Sequence, residues 1–346
     1  MSTDSGIRKE APVQEMQVQK AIMFGARDLR FVAEVWEESD LGPYDILVTT
    51  DVTALSTGTD LGNYEGRSQE VPGAPGYPRP VGYSNVGTVS AVGAEVTRWK
   101  LGQRVFSMRP HQSAFVARET DLMVEVPAQV DEAAASLAYL TQLGVAGMRQ
   151  GHYEAGEHVA VIGLGVIGLC TVAVATAMGA RVTAIGNSEF RNQLALRMGA
   201  DRLMLSGDAD IRDLKADMVM LTANPWAAYK DAVDAARYGG RISILGFPGR
   251  AQPAPDFNPL DASWLYAKQL TLMGSGFSPR AASEPYEIAF NLTRNLEMIL
   301  DYMRRGRLPL QDLITHRVPW NEMKNAYELA LSHSKEMAAA VFDWRA

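Results

Sequence analysis

The amino-acid sequence predicts an α/β protein with two domains, one rich in β-strands and one built on a doubly wound parallel sheet. Short apolar and β-branched runs separated by Gly and Pro fill the first part of the chain, which is typical of an all-β body. From about Asp131 onward, Ala-rich helical segments alternate with strands, which indicates a parallel sheet covered by helices. The length of 346 residues agrees with two domains at the usual ~150 residues each.

The strand and helix signals can be placed along the chain in order. In the first part, Gly- and Pro-bounded runs predict strands at 46–53, 86–92, 104–108 and 114–117. In the alternating part, strands are predicted at 158–162, 181–185, 217–222, 241–246 and 269–273. Apolar residues at helical spacing predict a helix over 286–305, and a final strand follows at 339–344. Residues 1–16 are predicted to form a flexible tail.

A glycine motif, Gly163-Leu164-Gly165-Val166-Ile167-Gly168, lies between a predicted strand and a predicted helix. The first glycine permits a tight turn, the second lets a pyrophosphate approach the backbone, and the third allows the helix to pack closely on the strand. The helix N-terminus then presents N–H groups and partial positive charge to phosphates. The strand-turn-helix context favours a dinucleotide site over a glycine-rich turn that binds nothing.

The end of the next predicted strand indicates which dinucleotide binds. An NAD site places Asp or Glu there to hold the ribose 2′-hydroxyl, but this chain has Gly186. Asn187, Ser188 and Arg191 follow and supply hydrogen-bond donors and a positive charge for a 2′-phosphate. The sequence therefore predicts NADP(H). Alternatively, Ser188 only caps the next helix and Arg191 is a solvated helix residue.

Further cofactor contacts are predicted where parallel strands end, because these ends line the crevice of a doubly wound sheet. The residues at two such ends are Thr222, Asn224, Gly246 and Phe247.

Composition and charge narrow the partners. The net charge of −7 lacks the basic character of nucleic-acid binders. The chain has no apolar run of the ~20 residues needed to cross a bilayer, and its polar beginning does not resemble a secretory signal. The sequence contains one cysteine, Cys170, which excludes an internal disulfide and fits a cytoplasmic protein. Cys170 follows the glycine motif and is predicted to be a buried, inert thiol.

From about Gln17 the chain resembles the medium-chain dehydrogenase/reductase superfamily, the relatives of zinc alcohol dehydrogenase. The match is carried in family order by Ser56-Thr-Gly-Thr-Asp60, Gly82–Gly93, Leu101–Val105, the glycine motif, Met198–Asp201, Gly239–Ile242 and Leu313–His316. The resemblance implies a GroES-like catalytic domain at 17–136 and 286–346, and a Rossmann domain at 137–285. It also implies a homodimer or homotetramer, and a Thr near the nicotinamide at Thr141.

The residues at the family's zinc-binding positions differ from metal ligands. Zinc-containing members carry a Cys where this chain has Thr57, and the His of a Gly-His-Glu where it has Tyr83. Their third ligand would fall near Leu137 or Ala138. Zn²⁺ prefers thiolate, imidazole or carboxylate, so we expect no catalytic metal. The pattern looks most like a zinc-free branch whose best-known members are bacteriochlorophyllide dehydrogenases.

Three residues are candidates for the chemistry in such a branch. Tyr83 replaces a zinc ligand and is predicted to donate to the substrate oxygen, or else only to fill the vacated volume. Thr59 matches a hydroxyl that relays a proton in zinc relatives, or else satisfies a turn. Tyr64 lies on the same loop and is predicted to line the pocket. His111 is a fourth, weaker candidate that otherwise lies exposed on a loop, and Asp60 is expected to fix the loop.

The sequence thus predicts an NADP(H)-dependent, zinc-independent oxidoreductase that interconverts an alcohol and a ketone or aldehyde of a small-molecule substrate. One alternative is reduction of an activated C=C bond, in which Tyr83 would hold the enone oxygen. Another is a cofactor-binding protein without catalysis, because a fold alone does not fix a function.

Overall fold

The computed structural model describes residues 8–9, 15–67, 75–278, 290–332 and 336–346. The chain forms two compact units. The first comprises Met1–Ala138 and Ile314–Ala346, and the second comprises Tyr139–Leu313. The first unit is therefore discontinuous in sequence. Among the described residues, no helix combines the length and apolar character that crossing a membrane requires.

Strands and helices are numbered along the chain. The first segment, through Ala138, contains β1 (Arg8–Lys9), β2 (Glu15–Gly25), β3 (Asp28–Glu37), β4 (Asp45–Ala54), α1 (Thr59–Tyr64), β5 (Arg79–Pro80), β6 (Asn85–Val92), β7 (Arg104–Ser107), β8 (Ala114–Arg118), β9 (Met123–Glu125) and α2 (Glu132–Ser136).

The second unit carries α3 (Ala138–Gln150), β10 (His158–Ile162), α4 (Val166–Ala177), β11 (Arg181–Gly186), α5 (Glu189–Arg197), β12 (Arg202–Leu205), β13 (Ala216–Leu221), α6 (Trp226–Ala235), β14 (Ala236–Ile244), α7 (Leu265–Lys268), β15 (Thr271–Gly274) and α8 (Leu292–Arg304). The chain then returns to the first unit with β16 (Ile314–Pro319), α9 (Met323–Leu331) and β17 (Ala339–Asp343).

The first unit is built on β-sheets. Its larger sheet has the order β16-β17-β4-β6-β7-β9, with β8 paired to β4 and β1 to β6, and a smaller sheet has the order β3-β2-β5. The C-terminal strand β17 pairs antiparallel with β4, with Val341 opposite Ala54. Most residues of β4 and the first four residues of β17 are buried in this sheet. Two distant segments of the chain thus share one core.

The second unit is a six-stranded, fully parallel sheet in the order β12-β11-β10-β13-β14-β15. Every residue of β10 is buried, as expected for a central strand covered on both faces. The strand order reverses between β10 and β13, and a crevice forms beyond the carboxyl ends of strands at such a reversal. The glycine motif follows β10 directly and therefore lies at this position.

The predicted α/β fold class is confirmed, with a β-rich unit and a doubly wound parallel sheet. Strands outside the predicted set include β2, β3 and β12. The short strand β12 is half exposed at a sheet edge, so it lacks a strong apolar run. The second unit extends through Leu313, which places α8 in it rather than in the first unit as the predicted boundaries have it. The predicted tail and the first four residues of the predicted 286–305 helix lie largely outside the described residues, although β2 already begins at Glu15.

Candidate active site and cofactor crevice

In the first unit, the hydroxyl groups of Tyr83 and Ser56 form a hydrogen-bonded pair. The half-buried Tyr83 follows β5 and donates a hydrogen bond from its phenol to Ser56 Oγ. Ser56 is buried just before α1. The phenol predicted to act on a substrate is therefore held by a second hydroxyl, which the sequence analysis does not single out.

Asp60 fixes the backbone around this pair. It lies in the first turn of α1 and is almost fully buried. Its Oδ2 accepts the backbone N–H of Ser56 at 2.8 Å, and its Oδ1 accepts that of Gly82 at 3.2 Å. One carboxylate thus ties together the two segments that carry the hydroxyl pair. The expected role of Asp60 in fixing the loop agrees with this geometry.

His111 is buried against Asp60, so an exposed loop position for this histidine is wrong. Its Nε2 lies 3.8 Å from Asp60 Oδ2, and both side chains are at most 1% exposed. Its Nδ1 lies 2.8 Å from Thr53 Oγ1, which also accepts the indole N–H of Trp344 at 3.0 Å. The ring fills the space beside Gly82, where a Cβ would lie 2.5 Å from it. His111 therefore supports the site from within the core.

Tyr64 and Thr59, both on α1, have contrasting environments. Tyr64 is completely buried, donates from its hydroxyl to Glu328 Oε1 at 2.7 Å and packs against Tyr327. Burial and the Glu328 carboxylate both raise the pKa of Tyr64. Its hydroxyl is thus engaged in the core of the first unit, contrary to the predicted pocket-lining role. Thr59 is exposed at the start of α1, and its relay role stays a prediction.

Tyr327, on α9, closes the core below Asp60. Its side chain is fully buried and packs on Phe342 of β17. The pKa of Tyr327 is held well above the usual 10, mainly by burial and secondly by the negative charge of Asp60. Tyr327 therefore stays neutral.

The residues that the family resemblance aligns with zinc ligands do not form a metal-ligand set. Thr57 and Tyr83 offer a hydroxyl and a phenol, while Leu137 and Ala138 are buried and apolar. A catalytic zinc is held by imidazole, thiolate or carboxylate groups. Within the described parts of the chain, no group of three or more His, Cys, Asp or Glu side chains is placed to hold a metal ion. These residues therefore do not fit a zinc ion.

In the second unit, the glycine motif has the geometry that a pyrophosphate requires. Gly163 has a φ of +93°, which favours glycine, and its carbonyl accepts the Thr222 hydroxyl at 2.7 Å. A Cβ on Gly168 would lie 1.8 Å from the Gly163 carbonyl oxygen, so the turn closes tightly on the helix. A Cβ on Gly165 would meet no described atom within 4 Å. This open side leaves room for a phosphate against the backbone.

The start of α4 completes this phosphate site. Gly165 is the N-cap and provides no side-chain cap, so the first-turn amides, including those of Val166 and Ile167, have no such acceptor. Leu164 is buried beside the turn. Free amides and the helix dipole attract a phosphate at this end of the helix. These residues fit a dinucleotide.

The predicted ribose-contacting residues lie together at the end of β11. Gly186 is the last residue of this strand, and Asn187 is exposed after it. Ser188 occupies the N-cap position of α5, but its hydroxyl makes no hydrogen bond to a helix N–H, contrary to the alternative capping role. Arg191 lies half-buried one turn further, where burial lowers the pKa of its guanidinium. The sequence thus identifies this cluster, and its contact with a cofactor stays a prediction.

The other predicted cofactor residues make internal contacts that stabilise the second unit around the crevice. Thr141 on α3 is completely buried and hydrogen-bonds the Cys170 thiol. Cys170 is buried, as predicted, and burial raises the pKa of its thiol to about 12. Asn224 accepts the backbone N–H of Phe247 at 2.8 Å, and a Cβ on Gly246 would lie 2.7 Å from a backbone oxygen.

Comparison with known families agrees with this architecture. Residues 42–177 match the alcohol dehydrogenase GroES-like domain, and residues 166–292 match the zinc-binding dehydrogenase domain. A similar curated protein is the L-threonine 3-dehydrogenase of Anaeromyxobacter dehalogenans, 25% identical over 90% of this chain and 95% of the relative.

Two solved structures share the fold. One, described as a zinc-binding dehydrogenase of Sinorhizobium meliloti 1021 bound to NADP, has a TM-score of 0.75 at 18% identity and covers 95% of this chain and 99% of the other. The second is a short chain alcohol dehydrogenase of Escherichia coli CFT073 complexed with NADH, with a TM-score of 0.76 at 17% identity over 94% and 99%. These structures show the fold alone, and they carry different cofactors.

The fold and the glycine crevice together define a nicotinamide-dependent oxidoreductase. With two matching domain models that together span residues 42–292, the chain belongs to the medium-chain dehydrogenase/reductase superfamily.

Proposed function

We propose that this protein is an NADP(H)-dependent, zinc-independent oxidoreductase that interconverts an alcohol and a ketone or aldehyde. The observation that carries the proposal is the hydroxyl pair of Tyr83 and Ser56. The family resemblance aligns Tyr83 with a zinc ligand of the zinc-containing members. The neighbouring positions offer no metal-binding donor set. A hydroxyl pair is a non-metal way to polarise a carbonyl.

Similar proteins support alcohol–carbonyl chemistry. The curated relatives include L-threonine 3-dehydrogenases, which act on a secondary alcohol. The zinc-free branch that the sequence resembles also oxidises a secondary alcohol to a ketone.

The bound nicotinamide supplies or accepts the hydride. During carbonyl reduction, the Tyr83 phenol turns its O–H from Ser56 to the substrate oxygen and passes its proton to that oxygen as the alcohol forms. The Ser56 hydroxyl then donates to the phenolate oxygen and stabilises its charge, and a proton from water restores the phenol. Alcohol oxidation reverses these transfers. Asp60 accepts the backbone N–H groups of Ser56 and Gly82, which keeps the Ser56 and Tyr83 hydroxyls within hydrogen-bonding distance of each other.

The preference for NADP(H) rests on the end of β11. Gly186 brings no carboxylate that would repel a 2′-phosphate. Ser188 keeps a hydroxyl that is not used as a helix cap, and Arg191 brings a positive charge to the same turn. Donors and a cation without a carboxylate favour a phosphorylated ribose.

The test is a product analysis with matched ketones, aldehydes and enones, each with NADPH and NADH. We expect NADPH oxidation with carbonyl compounds and alcohol as the product. NADPH oxidation with enones alone would contradict the alcohol assignment and favour C=C reduction. Zinc dependence is checked by adding a strong chelator, which should leave the activity unchanged.

We also propose a homodimer or homotetramer. Strand β15 is the edge of the parallel sheet, and exposed aromatic side chains, Tyr266 and Phe277, flank it in sequence. An edge strand with apolar neighbours favours association. Light scattering coupled to size-exclusion chromatography would show a monomer if this is wrong.

A further inference from the structure

We infer that Asn192 is the side chain that contacts the adenosine ribose and determines the choice between NADP(H) and NAD(H). The inference rests on the proposed cofactor function and adds a residue that the sequence motif does not contain. Asn192 lies in the first part of α5 and is 3% exposed. Its side chain folds back over the end of β11 rather than pointing to solvent.

Asn192 occupies the space above Gly186. A Cβ built on Gly186 would lie 2.7 Å from Asn192 Oδ1 and 2.7 Å from Leu164 Cδ1. A side chain at position 186 therefore has to displace the carboxamide or the leucine of the glycine motif. Asn192 thus stands where an NAD-type site presents the carboxylate of its strand-end acid.

The carboxamide oxygen of Asn192 is an unsatisfied acceptor within the described part of the chain. Asn192 Oδ1 is buried and, among the described residues, has no hydrogen-bond partner. A buried acceptor without a donor is unfavourable, and a ribose hydroxyl is a donor of the right kind. This is an observation independent of the glycine motif and of the helix end.

The position of Asn192 relative to the phosphate site also fits. The backbone N–H of Gly163 donates to the carbonyl of Ile185 at 3.0 Å, which fixes the glycine turn against the end of β11. Leu164 of that turn approaches the same point above Gly186 as Asn192 does. In a doubly wound sheet the ribose next to the pyrophosphate lies at this strand end.

The chemistry of an amide accounts for the selectivity. A carboxylate here accepts from a 2′-hydroxyl but repels a 2′-phosphate. The neutral carboxamide accepts from a ribose hydroxyl through Oδ1 and donates to a phosphate oxygen through Nδ2. It also fills the volume that an acid at position 186 would need. Asn192 therefore permits a phosphorylated ribose for two reasons. It carries no negative charge that would repel the phosphate, and it occupies the volume that an acid at position 186 would need.

The decisive variant is Asn192→Asp, which changes the charge and keeps the size. We expect the Kd of the full-length protein for NADPH to rise at least tenfold and the Kd for NADH to stay equal or fall, measured by cofactor fluorescence titration without substrate. The matched control is Gln193→Glu, which adds the same charge to the exposed face of the same helix. The control should leave the ratio of the two Kd values within twofold of wild type.

A second set of variants tests the same role if Asn192→Asp does not fold. Asn192→Ser removes the carboxamide without adding charge and should weaken both cofactors several-fold while the Tm without cofactor is retained. Gly186→Asp alone should weaken both cofactors and lower the Tm, because its side chain meets Asn192 and Leu164. The double variant Gly186→Asp with Asn192→Gly should regain NADH binding.

The outcomes separate the inference from the proposed function. If wild type binds NADH as tightly as NADPH, the proposed NADP(H) preference is wrong. If Asn192→Asp leaves the Kd ratio of wild type unchanged, or Asn192→Ser leaves both Kd values unchanged, the role of Asn192 is overturned. A Gln193→Glu effect equal to that of Asn192→Asp would also overturn it, since it would reflect only the overall field of the helix end.

Discussion

The phenol of Tyr83 and the hydroxyl of Ser56 form a hydrogen-bonded pair that joins two segments 27 residues apart. The backbone N–H groups of Ser56 and of Gly82, the neighbour of Tyr83, both donate to the Asp60 carboxylate. A single buried acid thus fixes the backbone on both sides of the pair, while the Tyr83 side chain remains half exposed.

Removing the phenolic oxygen should slow catalysis without affecting the cofactor. We expect Tyr83→Phe to lower kcat by about 10²- to 10⁴-fold, the range of a general acid, and to leave the Kd for NADPH unchanged. Steady-state kinetics and cofactor titration measure the two effects. Tyr44→Phe, at an exposed tyrosine in the same unit, is the control. A kcat within twofold of wild type would assign Tyr83 a packing role only.

Two glycines of the glycine motif should respond differently to substitution by alanine. Gly165→Ala adds a Cβ that meets no described atom within 4 Å, so the Tm should hold while the Kd for NADPH rises at least tenfold. Gly168→Ala places its Cβ 1.8 Å from a backbone oxygen, and should cost about 1–3 kcal/mol of unfolding free energy. Thermal melts and titrations distinguish the two. An unchanged Kd in Gly165→Ala would argue against phosphate binding at this turn.

Loss of the buried carboxylate should destabilise the first unit. Asp60→Ala leaves the N–H groups of Ser56 and Gly82 without their acceptor, and we expect a loss of about 2–4 kcal/mol in urea unfolding. Asp28→Ala removes an exposed ion pair with Arg30, so its effect should be much smaller, because solvent screens such a pair. Equal effects from the two substitutions would contradict the anchoring role of Asp60.

Cys170 should be unreactive in the folded protein. Burial raises the pKa of its thiol to about 12, so only about one molecule in 10⁴ carries the thiolate at pH 8. An aromatic disulfide reagent should label no thiol in native protein and one in urea. Because the folded pKa exceeds the unfolded value of about 8.5, this group stabilises the fold below that pH and loses its contribution as pH rises. Fast native labelling would show that α4 opens.

His158 should make the second unit sensitive to acid. Burial first, and the charge of Arg181 second, lower the pKa of this histidine below its usual 6.5. A lowered folded pKa means that the contribution of neutral His158 is fully present above pH 6.5 and is lost as the pH falls below it. Urea unfolding at pH 8 and pH 5.5 should show a smaller difference for His158→Gln than for wild type. His152→Asn, at an exposed histidine, should retain the wild-type difference.

Much of the fold follows from local sequence patterns. The buried strand β10 and the glycine turn are encoded within a dozen consecutive residues, so their prediction needs no long-range information. Gly186 was also identifiable, because strand ends fall at regular positions in this fold. The edge strand β12 and the hairpin of β2 and β3 are partly exposed, so their apolar patterns are weak.

The candidate site depends on contacts between distant segments, which local patterns do not reveal. Ser56 belongs to a recognisable motif, but its role arises only when Tyr83 approaches it. The burial of His111 depends on Thr53 and on Trp344 near the other end of the chain. Asn192 has no motif of its own, since its importance comes from folding back over Gly186.

The pairing of β17 with β4 has a consequence for biosynthesis. Residues 339–343 are translated only after residues 139–313, so the parallel-sheet unit is complete before the β-rich unit can acquire its inner strand. Domains generally fold as units during synthesis. On the ribosome, the Val52–Ala54 end of β4 therefore lacks its partner strand while more than half of the protein is made. A chaperone that shields strand edges should raise the yield of this chain more than that of a Tyr139–Leu313 fragment.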